Sequence, residues 1–201
     1  MSPSAPDIEV RELTPGLLAD WLAFFDREAF SDNPKWASCY CHFYFADHTA
    51  REWDLRSTAE NREASSGLIA GGRLRGYLAY LDGKPVGWCQ AGPRLRIPNL
   101  QNEEVLAVDD ADRVGSIVCF IVAKPHRGRG VARSLLEAAC AGFRSQGLAF
   151  AEGYPRRTAA SDAANYHGPL SLYLNSGFTV FREADAVTIV RKDLAAVGVK
   201  P

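Results

Sequence analysis

The run VGSIVCFIV, Val114 to Val122, carries no charge across nine residues and is rich in β-branched side chains. A strand of that kind has no polar face to turn toward water, so it is expected inside a sheet covered on both sides. The neighbouring residues narrow the fold further. The segment AKPHRGRGVARSLLEAAC, 123–140, passes through two glycines and a basic cluster into a stretch with apolar residues at helical spacing. A buried strand, a tight basic turn and a helix start in succession suit an anionic ligand. The first free N–H groups of a helix carry about half a positive charge, and Gly128 and Gly130 let the backbone approach closely. Lys124, Arg127, Arg129 and Arg133 add local charge.

Three phosphate-binding patterns fit poorly. A Walker A loop needs Lys-Ser/Thr after its second glycine, and here Arg133–Ser134 follows Ala132. A dinucleotide fingerprint lies early in a βαβ unit and needs a third glycine, which is Arg133 here. Nucleic acid calls for a broad basic face with stacking aromatics, against a formal net charge of −1 for the whole chain. Coenzyme A remains, with a pyrophosphate for the helix start and a ribose phosphate for the arginines.

The rest of the chain interleaves strands and helices. A first strand is expected in DIEVREL, then a helix with Thr14 as N-cap and Pro15 in its first turn. Thr49 and Glu52 have the spacing of a capping box, opening a helix to about Ala70. Two strands meet at Asp82–Gly83, a hairpin signal. Past the central helix, closed near Gln146–Gly147, come a strand in LAFAEGYP, a short helix in GPLSLYLNSGF and a final hairpin in TVFREADAVTIVRKDL. That order argues for a mixed α/β sheet with helices on its faces, and 201 residues suffice for a single domain with its own core. No apolar run approaches the length of a membrane span. The start MSPSAPDIEV lacks the basic-then-apolar layout of a secretory leader, and its first six residues have the composition of a frayed end. With five cysteines, an odd number, the expectation is reduced thiols in a cytoplasmic protein.

RGRGVA, 127–132, resembles the [Q/R]-x-x-G-x-[G/A] motif of the GNAT superfamily of acyl-CoA-dependent N-acetyltransferases, and LYLNSGF, 172–178, resembles that family's Tyr-x-x-x-Gly-Phe segment. The resemblance spans about residues 8 to 194. It implies a mixed, mostly antiparallel central sheet flanked by helices and splayed at its central parallel strand pair. It also implies acetyl-CoA as cosubstrate, no metal, and direct attack of an amine on the thioester. By the same resemblance Ile121 and Val122 hydrogen-bond the pantetheine arm. Arg127, Gly128, Arg129, Gly130, Val131, Ala132 and Arg133 cradle the pyrophosphate, Asn165 also contacts the cofactor, and Tyr173 serves the departing thiolate. The chain departs from the pattern twice. Lys124 stands where the family often has proline, and Tyr166 where it often has asparagine, with Asn165 one place earlier.

An amine with a pKa near 10.4 is neutral only about one part in 2,500 of the time at pH 7, a handicap of roughly 4.6 kcal/mol. Something must take its proton. Glu152, an acid inside an apolar strand, is the candidate base, since desolvation raises a carboxylate's pKa. The aromatic loop SDNPKWASCYCHFYF, 31–45, offers Trp36 or Tyr40 as an acceptor-pocket wall. Cys39-x-Cys41–His42 lacks the second Cys/His pair that a closed zinc site needs. Five carboxylates in NEEVLAVDDAD, Glu103 to Asp112, read either as a solvated loop or as an acidic rim that gathers a cationic amine. The expected partner is a small-molecule or peptide amine, not nucleic acid and not a membrane. The alternative on the same fold is a non-catalytic acyl-CoA-binding or regulatory module. Nothing in the sequence specifies the oligomeric state.

Overall fold

The computed structural model describes residues 7–158, 161, 163–184 and 186–195; the expectation of a frayed start at residues 1–6 lies outside them. Seven strands form one sheet, β1 (Glu9–Glu12), β2 (Gly76–Leu81), β3 (Lys84–Pro93), β4 (Val114–Val122), β5 (Phe150–Gly153), β6 (Thr179–Glu183) and β7 (Thr188–Asp193), in the order β1-β2-β3-β4-β5-β7-β6. Every neighbouring pair is antiparallel except β4–β5. Those two run parallel and pair only from Val114↔Phe150 to Ile117↔Gly153. β4 continues to Val122 without β5 beside it, so the sheet opens into a cleft at its centre.

Helices cover both faces. α1 (Leu18–Arg27) and α2 (Thr58–Ala70) pack on one, and α4 (Val131–Ser145) on the other; α3 (Pro98–Gln101) and α5 (Leu170–Leu174) are short. α4 buries Val131, Leu135, Leu136, Ala139, Cys140 and Phe143, one stripe at helical spacing. It sits so close that a Cβ on Gly115 of β4 would lie 2.3 Å from the Phe143 ring. The hairpin expected at Asp82–Gly83 is present, with φ of 49° and 73° at the two turn residues, as a type I′ turn requires.

A register shift at Gln90–Ala91 lets Val118 bulge out of the β3–β4 ladder. The bulge reverses the alternation of β4. Ile117 and Phe120 both point under α4, while Cys119 and Ile121 point to the α1/α2 side. The last residues of β4 therefore present one set of side chains to each side of the cleft.

The capping box is displaced from its expected position. Ser57 and Glu60 form it, through Ser57 N–H to Glu60 Oε2 at 2.7 Å and Glu60 N–H to Ser57 Oγ at 3.2 Å. Thr49 instead turns its N–H and hydroxyl to Asp47, and a 3-10 turn over Trp53–Leu55 separates it from α2. Both pairs have the right spacing, and the helix opens only at Ser57, where the reciprocal bonds with Glu60 are made. Thr14 precedes a 3-10 turn and makes no side-chain cap.

Candidate functional site

Beyond β4 the chain turns through Gly128 and Gly130, with φ of 73° and 90°, values that cost a residue with a Cβ. Gly130 is the N-cap of α4, and Ser134 N–H makes the first intrahelical bond, to Gly130 O at 3.0 Å. The amides of Val131, Ala132 and Arg133 are left at the helix start, which forms one end of a cavity of about 470 Å3. Arg127 pins the turn. Its Nε donates to Val122 O at 3.0 Å and its terminal nitrogens to the Asp32 carboxylate at 2.6 and 3.0 Å. That guanidinium holds the Asp32 carboxyl below its usual pKa. Arg127 thus has its charge committed within the protein. Arg133 and His126 line the cavity, as do Gly128 and Asn165. Arg129 is exposed on the turn and is not part of the cavity wall.

The edge of β4 forms the cavity's inner wall. Ala123 N–H points toward β3 and donates to Val86 O at 2.9 Å. By strand alternation the amides of Val122 and Phe120 face the cleft. Phe120 N–H donates to Tyr166 O at 2.6 Å; Val122 N–H meets no acceptor among the described residues. A second cavity, about 520 Å3, adjoins the first, and the two share Phe30, Ile121 and Tyr166 in their walls. Trp36, Phe43, Tyr44 and Trp53 give the second cavity an aromatic lining. Tyr166 stands at the junction. Its ring meets Trp36 edge-on at 5.3 Å, and its hydroxyl accepts from Arg156 Nη2 at 2.9 Å. Burial raises the Tyr166 pKa, with Arg156 opposing, so the phenol keeps its proton near neutrality.

An acetyltransferase (GNAT) family model matches residues 33–165, about two-thirds of the chain. The chain belongs to the GNAT acetyltransferase family. Solved structures share the fold over nearly the whole length. The PaiA N-acetyltransferase of Thermoplasma acidophilum, in complex with coenzyme A, is 15% identical and has a TM-score of 0.57, with 93% of this chain and 99% of that one covered. YncA of Salmonella typhimurium, with acetyl-CoA, is 17% identical, covers 96% of each chain and has a TM-score of 0.53. A GCN5-related N-acetyltransferase of Kribbella flavida is 18% identical, with 96% and 99% covered and a TM-score of 0.56. No curated protein matches the sequence. Among the described residues no helix is long and apolar enough to cross a membrane, and no three His, Cys, Asp or Glu side chains are grouped to hold a metal ion.

Three residues expected in this GNAT site stand elsewhere. Tyr173 is fully buried and donates its hydroxyl to His167 O at 2.7 Å; it lines neither cavity. Gly153 leaves room for its ring, since a Cβ there would fall 2.3 Å from Tyr173 Cε1. Glu152, the expected base, is enclosed in a buried ionic network. Arg94 Nη1 donates to it at 3.0 Å, Arg191 Nη2 at 2.7 Å and the Tyr154 hydroxyl at 2.8 Å. Its carboxylate is taken up by two guanidiniums and a phenol inside the protein, and it lines neither cavity. Tyr40 packs between α1 and α2, stacked on Phe25 and bonded to Asp26 at 2.7 Å. Trp36 does line the second cavity. None of the acidic loop's five carboxylates lines either cavity, and its Asp110 is paired with Arg191 at 2.9 Å.

Sequence reasoning passed over Tyr166, Arg156, Trp53 and Gln90, all of which line the second cavity. Gln90 had a signal, being an amide in the middle of the apolar strand VGWCQAG. Cys39 and Cys41 line it too. Burial, helped by the neighbouring Cys41, pushes the Cys39 thiol up to about 12, and burial likewise raises Cys41. Neither thiol is a nucleophile at neutral pH.

Proposed function

We propose that the chain transfers the acetyl group of acetyl-CoA directly to an amine held in the second cavity. The observation that carries this reading is the meeting of two cavities at Tyr166, one ending on an open helix start and the other walled by aromatics. The site suits a coenzyme A thioester. The amides of Val131, Ala132 and Arg133 would hold the pyrophosphate, Arg133 and the exposed Arg129 and Lys124 would supply charge, and Val122 N–H would bind along the pantetheine arm like a missing strand. The thioester supplies an activated acyl carbon; the protein's part is to place an amine beside it and to manage two protons.

We assign the thiolate's proton to Tyr166 rather than Tyr173. The Tyr166 hydroxyl is at the junction and still protonated, and Arg156 beside it would steady the phenolate left behind. A phenol is a weaker acid than a thiol, and burial weakens Tyr166 further, so full transfer is uphill and a hydrogen bond to the departing sulfur carries much of the effect. Asp54, exposed at the rim, is the one carboxylate lining the second cavity among the described residues. The amine's proton therefore passes to solvent through the open mouth.

Cys39 and Cys41 are unreactive, and in direct transfer the third thiol of the cavity, Cys119, carries no acetyl group. Thiol release over a panel of amines should require both substrates, and intact-mass spectra after mixing with acetyl-CoA alone should show the unmodified chain. An acetylated enzyme that forms and then decays on adding amine would replace direct transfer with a two-step route. Tight acetyl-CoA binding with no turnover over the whole panel would leave an acyl-CoA-binding module.

A further inference from the structure

The second cavity holds a buried side chain that the acetyl-transfer reading leaves unused. Gln90 is 2% exposed, and neither atom of its amide has a hydrogen-bond partner. Register fixes where it points. Gln90 pairs with Cys119 across the β3–β4 ladder, and both side chains line the second cavity, at its floor. A buried amide with an idle donor and an idle acceptor is costly to fold around, and it calls for a ligand offering both.

The charged groups of the cavity wall are unbalanced. Lys35, Arg56 and Arg156 line it against a single carboxylate, Asp54. None of the three cations is in an ion pair among the described residues. Two of them are held in place. Arg56 Nε donates to Asn61 Oδ1 at 2.6 Å, and Asn61, itself buried, is fixed by Ser38 O at 2.9 Å. The terminal nitrogens of Arg56 have no acceptor among the described residues. Arg156 lies 5.0 Å above the Tyr166 ring, its backbone bridged to Val187. The arginines buried deepest in the protein have carboxylate partners, Arg94 and Arg191 both meeting Glu152, whereas Arg56 and Arg156 at the cavity have none among the described residues. Positioned guanidiniums without a carboxylate await an oxyanion from outside.

We propose that the acceptor is a primary amine that also carries an oxyanion, a carboxylate or phosphonate, with an apolar or aromatic body against Trp36 and Trp53. This rests on the acetyl-transfer reading. Gln90 would accept an N–H of the amine through its carbonyl, leaving the nitrogen lone pair free, and donate through its amide to the oxyanion, which Arg56 and Arg156 also hold. The amine nitrogen bonds to the acyl carbon as the carbon–sulfur bond breaks. One amine proton leaves to solvent, and the thiolate takes up one proton to become free coenzyme A.

A matched set decides it. Phenylalanine and 1-amino-2-phenylethylphosphonate carry the oxyanion; phenylalaninamide and 2-phenylethylamine keep the ring and amine without it. The oxyanion-bearing pair should show kcat/KM at least about 10-fold higher, the effect of one charge-assisted hydrogen bond, and the better of the two names the anion. Arg56→Gln should lower that preference by roughly 10- to 100-fold. Equal or better use of the neutral pair overturns the proposal and leaves acetyl transfer intact. If no amine is acetylated, quenching of Trp36 and Trp53 fluorescence with coenzyme A present still decides. Tighter binding of the oxyanion pair, lost in Arg56→Gln, supports the proposal, and binding indifferent to the oxyanion refutes it. A chain that binds no acetyl-CoA in a separate titration removes the acetyl-transfer reading itself.

Discussion

Tyr166→Phe lowers turnover by about 10²- to 10⁴-fold, the span of a positioned general acid, and leaves acetyl-CoA affinity within a few-fold. The substitution keeps the ring against Trp36 and removes only the hydroxyl that Arg156 orients. Because the hydroxyl matters only as charge builds on sulfur, the loss falls on kcat and not on KM. Tyr173→Phe is the control. Its hydroxyl caps the buried His167 carbonyl, so removing it costs about 1–3 kcal/mol of stability and leaves turnover within a few-fold. Steady-state kinetics on both variants with one amine separates the roles. If Tyr173→Phe carries the large loss and Tyr166→Phe does not, the residue of the family motif is the acid. The 166–167 segment would then have to move aside to expose it.

Glu152→Gln destabilises the fold by about 3–5 kcal/mol, the cost of breaking a buried ion pair from one side. Arg94 is 2% exposed and would be left with the Tyr154 hydroxyl and backbone carbonyls but no counter-charge. Arg191 keeps Asp110 and is hurt less. The melting temperature should fall by roughly 6–20 °C for a chain of this size. Urea denaturation gives the free energy directly. At temperatures where the variant is folded its pH–rate profile should match the wild type, since the carboxylate never meets the amine. A variant of undiminished stability that loses the acidic limb of that profile would restore Glu152 as the base.

The central strand, the glycine turn and the helix it opens were legible because each rests on local chemistry: an unbroken apolar run, two positions needing positive φ, and a helical stripe. The Asp82–Gly83 hairpin was legible for the same reason. Residue roles were harder. Glu152 in FAEG looks like a desolvated acid until the fold brings Arg94 and Arg191 to it from 58 and 39 residues away. Tyr173 carries the motif, yet whether its hydroxyl reaches the cleft depends on the path of residues 163–168, which the motif does not specify. Tyr40 and Trp36 sit four residues apart in one aromatic loop, and only packing against α1 sends one to the core and leaves the other at the cavity. The acidic loop has a strong composition and no place in either cavity, because composition says nothing about which end of a sheet a loop caps. Gln90 shows the reverse. Its meaning needed the β3–β4 register, which a bulge sets and no periodicity reveals.

Calorimetric titration of coenzyme A into the wild-type chain and Gly130→Val tests most directly whether the start of α4 holds the pyrophosphate. Nothing of the protein lies closer than 4.0 Å to a Cβ at Gly130, so the substitution acts through the backbone, whose φ is 90°, and on whatever lies against the turn. The wild type should bind. Gly130→Val, still folded by its melting curve, should bind about 100-fold more weakly or not at all, through about 1–2 kcal/mol of backbone strain and the lost amide contacts. Equal affinity in the two folded proteins would contradict the site.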